Sequence, residues 1–225
     1  KLISYLDMKK TILIPENING ITLGQYQKYL SVSVGIEGEF LNQRAIETLC
    51  SVPFGDVVNM AHKDVRDITN KLSRILADET SFSPTFEVEG EKFGFIPDLE
   101  AMTSGEYADL SAYITKPEDM HLAMAVMFRP IIREYDGKYS ILEYSGTQEL
   151  GSLMKFMPLG AALGAMVFFW DLAKDLVSAT QHFIKREVTK DQVQEQEDLL
   201  RNGDFIKIST HLQKEILQNS AKLQS

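Results

Sequence analysis

The sequence predicts a mainly α, α+β protein: a helical domain with two small β-hairpins and a long buried helix. Three observations lead there. Apolar residues recur at the helical period of 3.6 through most of residues 22–77 and again from 103 onward. Two short alternating runs, "TFEVEGEKFGF" and "IIREYDGKYSI", each fold back at a glycine. A third stretch, Phe156 to Trp170, passes without a single charge.

The elements follow in order. "TILIP" at residues 11–15 is β-branched and apolar and ends at a proline, which predicts a short strand or an extended arm. "ITLGQY" (Ile21–Tyr26) then has the form of a helix start. Thr22 is placed to accept from the amide three residues on, and Gln25 to reach back to the amide of Thr22, a capping box. Ile21 and Tyr26 stand where a hydrophobic staple forms. The helix should run to about Val32. A second helix is expected in "EGEFLNQRAIETLCSV", with Phe40, Leu41, Ala45, Ile46 and Leu49 on one face, broken by Pro53 and Gly55. Residues 57–77 predict one amphipathic helix or a bent pair.

The first hairpin should turn at Glu89–Glu91. "MTSGEY" (Met102–Tyr107) repeats the earlier hexapeptide, with Thr103 and Glu106 in the box positions, and predicts a helix to about Ile114. "TKPE" (Thr115–Glu118) has the form of another box with Pro117 in the first turn, opening a helix that lasts until Pro130. The second hairpin turns at Asp136-Gly137. Thr147 or Ser145 caps a helix over "QELGSLMKFM", and a long helix begins at Pro158 and continues toward Val188. Residues 1–189 thus form a mainly helical core domain, in which the two hexapeptides suggest a weak internal repeat (21–80 and 102–150). Residues 190–225 read as a polar linker and a C-terminal amphipathic helix, with Phe205, Ile208, Leu212 and Ile216 on one stripe available for partner contacts.

Composition narrows the function. The 225 residues carry 32 acidic and 23 basic side chains, a net charge of −9. Such a chain is a poor candidate for direct nucleic-acid binding or for an anionic membrane surface, because phosphate contacts need clustered Lys and Arg, and adjacent basic residues occur only as the pairs Lys9-Lys10 and Lys185-Arg186. Cys50 is the only cysteine, so it forms no intrachain disulfide and reads as a small buried hydrophobe. No signal peptide is visible before Thr11, since Asp7, Lys9 and Lys10 interrupt the apolar residues. The four histidines (62, 121, 182, 211) stand apart, without metal-ligand spacing. There is no phosphate loop, dinucleotide glycine pattern or nucleophile elbow. The expectation is therefore no catalytic residue, no cofactor and no metal. The uncharged run Phe156–Trp170 falls short of the ~20 residues a membrane span needs. Its Gly160 and Gly164, four apart, suit close packing in a core. Arg129, directly after "AMAVMF", reads as an anchor that bonds the last helix carbonyls or pairs with a carboxylate.

One set of motifs resembles a known group. Gly94-Phe95-Ile96-Pro97-Asp98-Leu99, Thr103-x-Gly105-Glu106-Tyr107-x-Asp109-Leu110, Arg129-Pro130-Ile131 and Tyr139-x-Ile141-x-x-Tyr144 cover about residues 90–146. Together they resemble small virion-associated or assembly proteins of tailed bacteriophages, of the tail assembly chaperone type. The resemblance implies a non-enzymatic protein acting in tail or head–tail assembly through contacts with other phage structural proteins or with itself. It would work in the host cytoplasm during assembly, or be kept in the virion. A permanent virion component (connector ring, tail subunit or internal cargo protein) is the first alternative, and a phage-encoded enzyme with an unrecognised site the second.

Overall fold

The computed structural model describes residues 11–172. Eight α-helices and one four-stranded antiparallel sheet make up these residues. Residues 11–15 form no strand, although their burial alternates as in one: Ile12 and Ile14 lie half-buried against the core and Leu13 faces out. A 3-10 turn (Ile18–Gly20) leads into α1 (Leu23–Ser33), which starts at Thr22 as expected. In α2 (Gly38–Leu49), Leu41, Ala45, Ile46 and Leu49 are buried. Phe40 is not: it meets the edge of Phe54, and the Arg44 guanidinium lies over both rings. Within residues 57–77 one amphipathic helix forms, α4 (His62–Ala77), and the short α3 (Phe54–Val57) lies ahead of it, across Gly55, where a break was expected.

The two hairpins are β1 (Thr85–Val88) with β2 (Glu91–Phe95), and β3 (Phe128–Tyr135) with β4 (Lys138–Ile141). Glu89-Gly90 and Asp136-Gly137 all take positive φ, as two-residue turns that match the strand twist require. The hairpins join into one sheet of order β1-β2-β3-β4, because β2 pairs with β3 through Phe93↔Pro130, Gly94↔Arg129 and Phe95↔Phe128. Between them lie α5 (Ser104–Tyr113), a 3-10 turn (Pro117–Asp119) and α6 (Met120–Met127). The box expected in "TKPE" does not form: Lys116 takes the cap position and no side chain caps it, although Pro117 does open the turn. Helix α6 ends at Met127, ahead of Pro130, which lies inside β3 and accepts from the amide of Leu142 at the end of the ladder, where a missing N–H costs least.

Thr147 precedes α7 (Gln148–Met154) without a side-chain cap. The last helix, α8, is described over residues 159–172. From Leu159 to Met166 it is buried all round. Both of its glycines are needed. A Cβ at Gly164 would lie 2.4 Å from the carbonyl oxygen of Ser81, and one at Gly160 would lie 2.3 Å from Oδ1 of Asn19. The close approach is therefore made by the 81–82 loop at Gly164 and by the 3-10 turn at Gly160 rather than by another α-helix. Lower on α8, Phe168 stacks on Phe82 and meets the edge of Phe95. Phe95 and Phe86 in turn meet Phe128, and Phe86 stacks on Phe93. This aromatic cluster fastens one face of the sheet to α8, each such pair adding about 0.5–1.5 kcal/mol beyond burial. Among the described residues no helix is long and apolar enough to cross a membrane.

Candidate functional site

Both hexapeptides form the predicted capping box, and Gln25 and Glu106 also tie their helices to distant elements. At α1, Gln25 Oε1 accepts from the Thr22 amide (2.7 Å) and Thr22 Oγ1 accepts from the Gln25 amide (3.2 Å). The remaining Gln25 amide nitrogen donates to Ser51 Oγ (2.9 Å) and the Leu49 carbonyl (3.4 Å), where α2 ends. At α5, Glu106 Oε2 accepts from the amide and the hydroxyl of Thr103, both at 2.7 Å. Its other oxygen, Oε1, lies 2.7 Å from Nη2 of Arg129 at the start of β3. The difference between Gln and Glu in otherwise similar motifs has a chemical reason. A carbonyl and a hydroxyl at the end of α2 call for a donor, and a guanidinium calls for an anion. The staples differ too: Ile21 and Tyr26 are both buried, whereas Tyr107 is more than half exposed.

Around Glu106 the four quoted motifs converge into one interlocked cluster. Glu106 and Arg129 are 4% and 7% exposed, so this ion pair is shielded from water. The Arg129 guanidinium lies 5.8 Å from the ring centre of Tyr144, whose hydroxyl donates to Asp109 Oδ2 at 2.5 Å. Burial, with the Asp109 carboxylate second, pushes the Tyr144 phenol well above its ordinary range, so it remains a donor at any physiological pH. Gly94, paired with Arg129 across the sheet, leaves room for Tyr139: a Cβ there would lie 2.4 Å from its ring. The Tyr139 hydroxyl reaches the carbonyls of Phe95 (2.9 Å) and Pro84 (3.2 Å). Of the two fates weighed for Arg129, pairing with a carboxylate is the one realised.

Chemically the cluster holds rather than reacts. Its carboxylates are committed to a guanidinium, an amide and hydroxyls, and its phenols are held protonated. Elsewhere, His62 is exposed beside Glu39 (3.5 Å). His121 Nδ1 lies 3.1 Å from the Gln27 amide nitrogen. Among the described residues no group of three or more His, Cys, Asp or Glu could hold a metal ion. Cys50 is buried, and burial pushes its thiol up to about 11, the charge of Lys71 opposing. The predicted contact stripe of Phe205, Ile208, Leu212 and Ile216 lies outside the described residues, as do His182, His211 and Lys185-Arg186.

A different surface stands out instead. In the β3–β4 ladder the register steps from Ile131↔Ile141 to Arg133↔Ser140, leaving Ile132 as an unpaired bulge residue. Ile132 is 63% exposed, Tyr135 81% and Leu142 44%. The alternation of "IIREY" announces a strand but not a bulge, so sequence reasoning missed this patch. No protein-family model, curated protein or solved structure matches the chain.

Proposed function

We propose that this protein is a non-enzymatic assembly factor of a tailed bacteriophage, acting in the host cytoplasm during tail or head–tail assembly through contacts with other phage structural proteins. The observation that carries the reading is the β3–β4 hairpin. Three large apolar side chains stand exposed on it, and β4 is the outer strand of the sheet. Exposed apolar groups clustered on one element favour a partner surface over water, and an outer strand offers main-chain groups for pairing. The resemblance of residues 90–146 to tail assembly chaperone-like proteins supports the same role, and the net charge of −9 suits a protein that keeps sticky subunits soluble.

Coexpression with the phage's tail and head–tail proteins, followed by affinity capture, tests this. Capture of one such protein by the wild type, and its loss in an Ile132→Glu/Tyr135→Glu variant, is the expected result. Retention of no phage protein would remove the reading. Mass spectrometry of purified virions separates the two phage roles: a chaperone leaves the particle, whereas a stoichiometric copy makes the chain a permanent virion component. The stripe Phe205–Ile216 is the second contact surface in this proposal. Deleting residues 204–225 should weaken capture or self-association while the melting of the remainder is unchanged.

A further inference from the structure

A groove of about 1100 Å³ runs between residues 11–14 on one side and α3 and α4 on the other, with Val52 and Cys50 among the residues of its floor. Three features of it belong together. Its first wall behaves like half of a strand pair: burial alternates along Thr11–Ile14, Leu13 is 87% exposed, and among the described residues these positions make no backbone–backbone hydrogen bond. Its apolar lining includes Ile12, Ile14, Met60 and Ile68 besides Val52. The charged side chains that line it, Asp56, Asp64 and Asp67, are all acidic, and Lys71, whose charge is felt at Cys50, does not line it.

We infer that this groove binds an extended segment of a partner protein, one that alternates apolar residues with Lys or Arg. Such a segment pairs its main chain with residues 11–14, as in strand addition to an exposed edge. Its apolar side chains turn toward Ile12, Ile14 and Met60, and its cations face Asp64 and Asp67. Charge selects among extended segments: an acidic one meets the Asp64 and Asp67 carboxylates and is repelled. The inference goes beyond the hairpin contact and stands or falls separately from the assembly role.

The probe is a fluorescent hexapeptide alternating Lys and Val, compared with one alternating Glu and Val, by anisotropy with the full-length protein. The Lys–Val peptide should bind, and Asp64→Lys/Asp67→Lys should weaken it by about tenfold. Both positions are exposed, so an unchanged melting curve for this variant checks that it is folded. Leu13→Pro, which removes a main-chain donor from the arm, should weaken it as well, whereas Ile132→Glu should leave it unchanged. Equal binding of the two peptides, or indifference to the Asp64/Asp67 reversal, overturns the inference. So does a carbodiimide cross-link in the peptide-free protein that joins Asp64 or Asp67 to Lys9 or Lys10, or to a second copy, since the chain itself would then fill the groove.

Discussion

Arg129 and Glu106 illustrate how much a single pair depends on both partners. Each has been taken out of water at a cost of several kcal/mol, offset by the other, for Glu106 also by the Thr103 donors and for Arg129 by the Tyr144 ring. Arg129→Ala should therefore destabilise the protein by about 3–5 kcal/mol, because it leaves a buried carboxylate without its cation. The double variant Glu106→Gln/Arg129→Met should recover a large part of that loss, because Gln still serves the box and Met fills the space of the guanidinium stem. Chemical denaturation of the two proteins is the check, and equal losses would mean that the pair is not what holds α5 to β3. His121 carries a pH effect. Burial first, and Lys155 second, lower its pKa below the usual 6.5, with Asp119 and the Glu118 backbone opposing. A histidine with a depressed folded-state pKa contributes stability that is fully present above its unfolded pKa and is lost as pH falls through the folded value. The melting temperature should thus decline below about pH 6.5, and the decline should be shallower in His121→Gln. Parallel profiles for the two proteins would assign the acid sensitivity elsewhere.

At the scale of elements, the two hexapeptides are alike in their caps and unlike in their surroundings. Thr22→Ala and Thr103→Ala should each cost about 1 kcal/mol, the ordinary value of an N-cap. The glycines that follow should respond with opposite signs. The amides of Leu23 and Gly24 donate to the carbonyls of Met157 and Lys155, so the start of α1 is seated on the chain between α7 and α8. A Cβ at Gly24 would lie 3.0 Å from that same Lys155 oxygen, whereas one at Gly105 meets only Thr103 Oγ1, at 4.0 Å. Gly24→Ala should destabilise by roughly 1–3 kcal/mol through overpacking. Gly105→Ala should be neutral or stabilise by about 0.4–1 kcal/mol, since it restricts the unfolded chain without a clash. Thermal melts of the two variants decide it, and shifts of the same sign would refute the distinction. The glycine of "TSGEY" was legible as part of a motif; that only its counterpart in "TLGQY" is sterically required was not, because the neighbour that requires it is Lys155.

For the molecule as a whole, α8 is the element that the rest surrounds. Gly164 faces main-chain atoms of Ser81 and Phe82, which cannot swing aside, while Gly160 faces chiefly the side chains of Asn19 and Ile18. Gly164→Ala should accordingly cost more than Gly160→Ala, the latter falling near the usual 1–3 kcal/mol of overpacking. Comparison of their denaturation midpoints tests the order, and the reverse order would mean that the 81–82 loop yields more easily than the 3-10 turn. The sheet shows the same dependence on distant neighbours. Its two hairpins were legible as separate units from Gly90 and Asp136-Gly137, but their union is made by β2 and β3, which pair although α5 and α6 lie between them in the chain.

What the sequence by itself determined is whatever is decided within about four residues: the capping boxes at Thr22 and Thr103, the two positive-φ turns, the buried stripes of α2 and α4, and the uncharged core of α8. Cap bonds and turn dihedrals are local, so the residue types alone specify them. What only the tertiary structure decided is who meets whom: Gln25 with the end of α2, Glu106 with Arg129, Tyr139 with Gly94, and the bulge that turns Ile132 outward. The periodic pattern names a face without naming the neighbour that covers it. The one-residue register shift at Ile132 sits beside Ile131 and Tyr139, whose side chains pack over Gly94 of β2, a strand remote in the chain that no local pattern names.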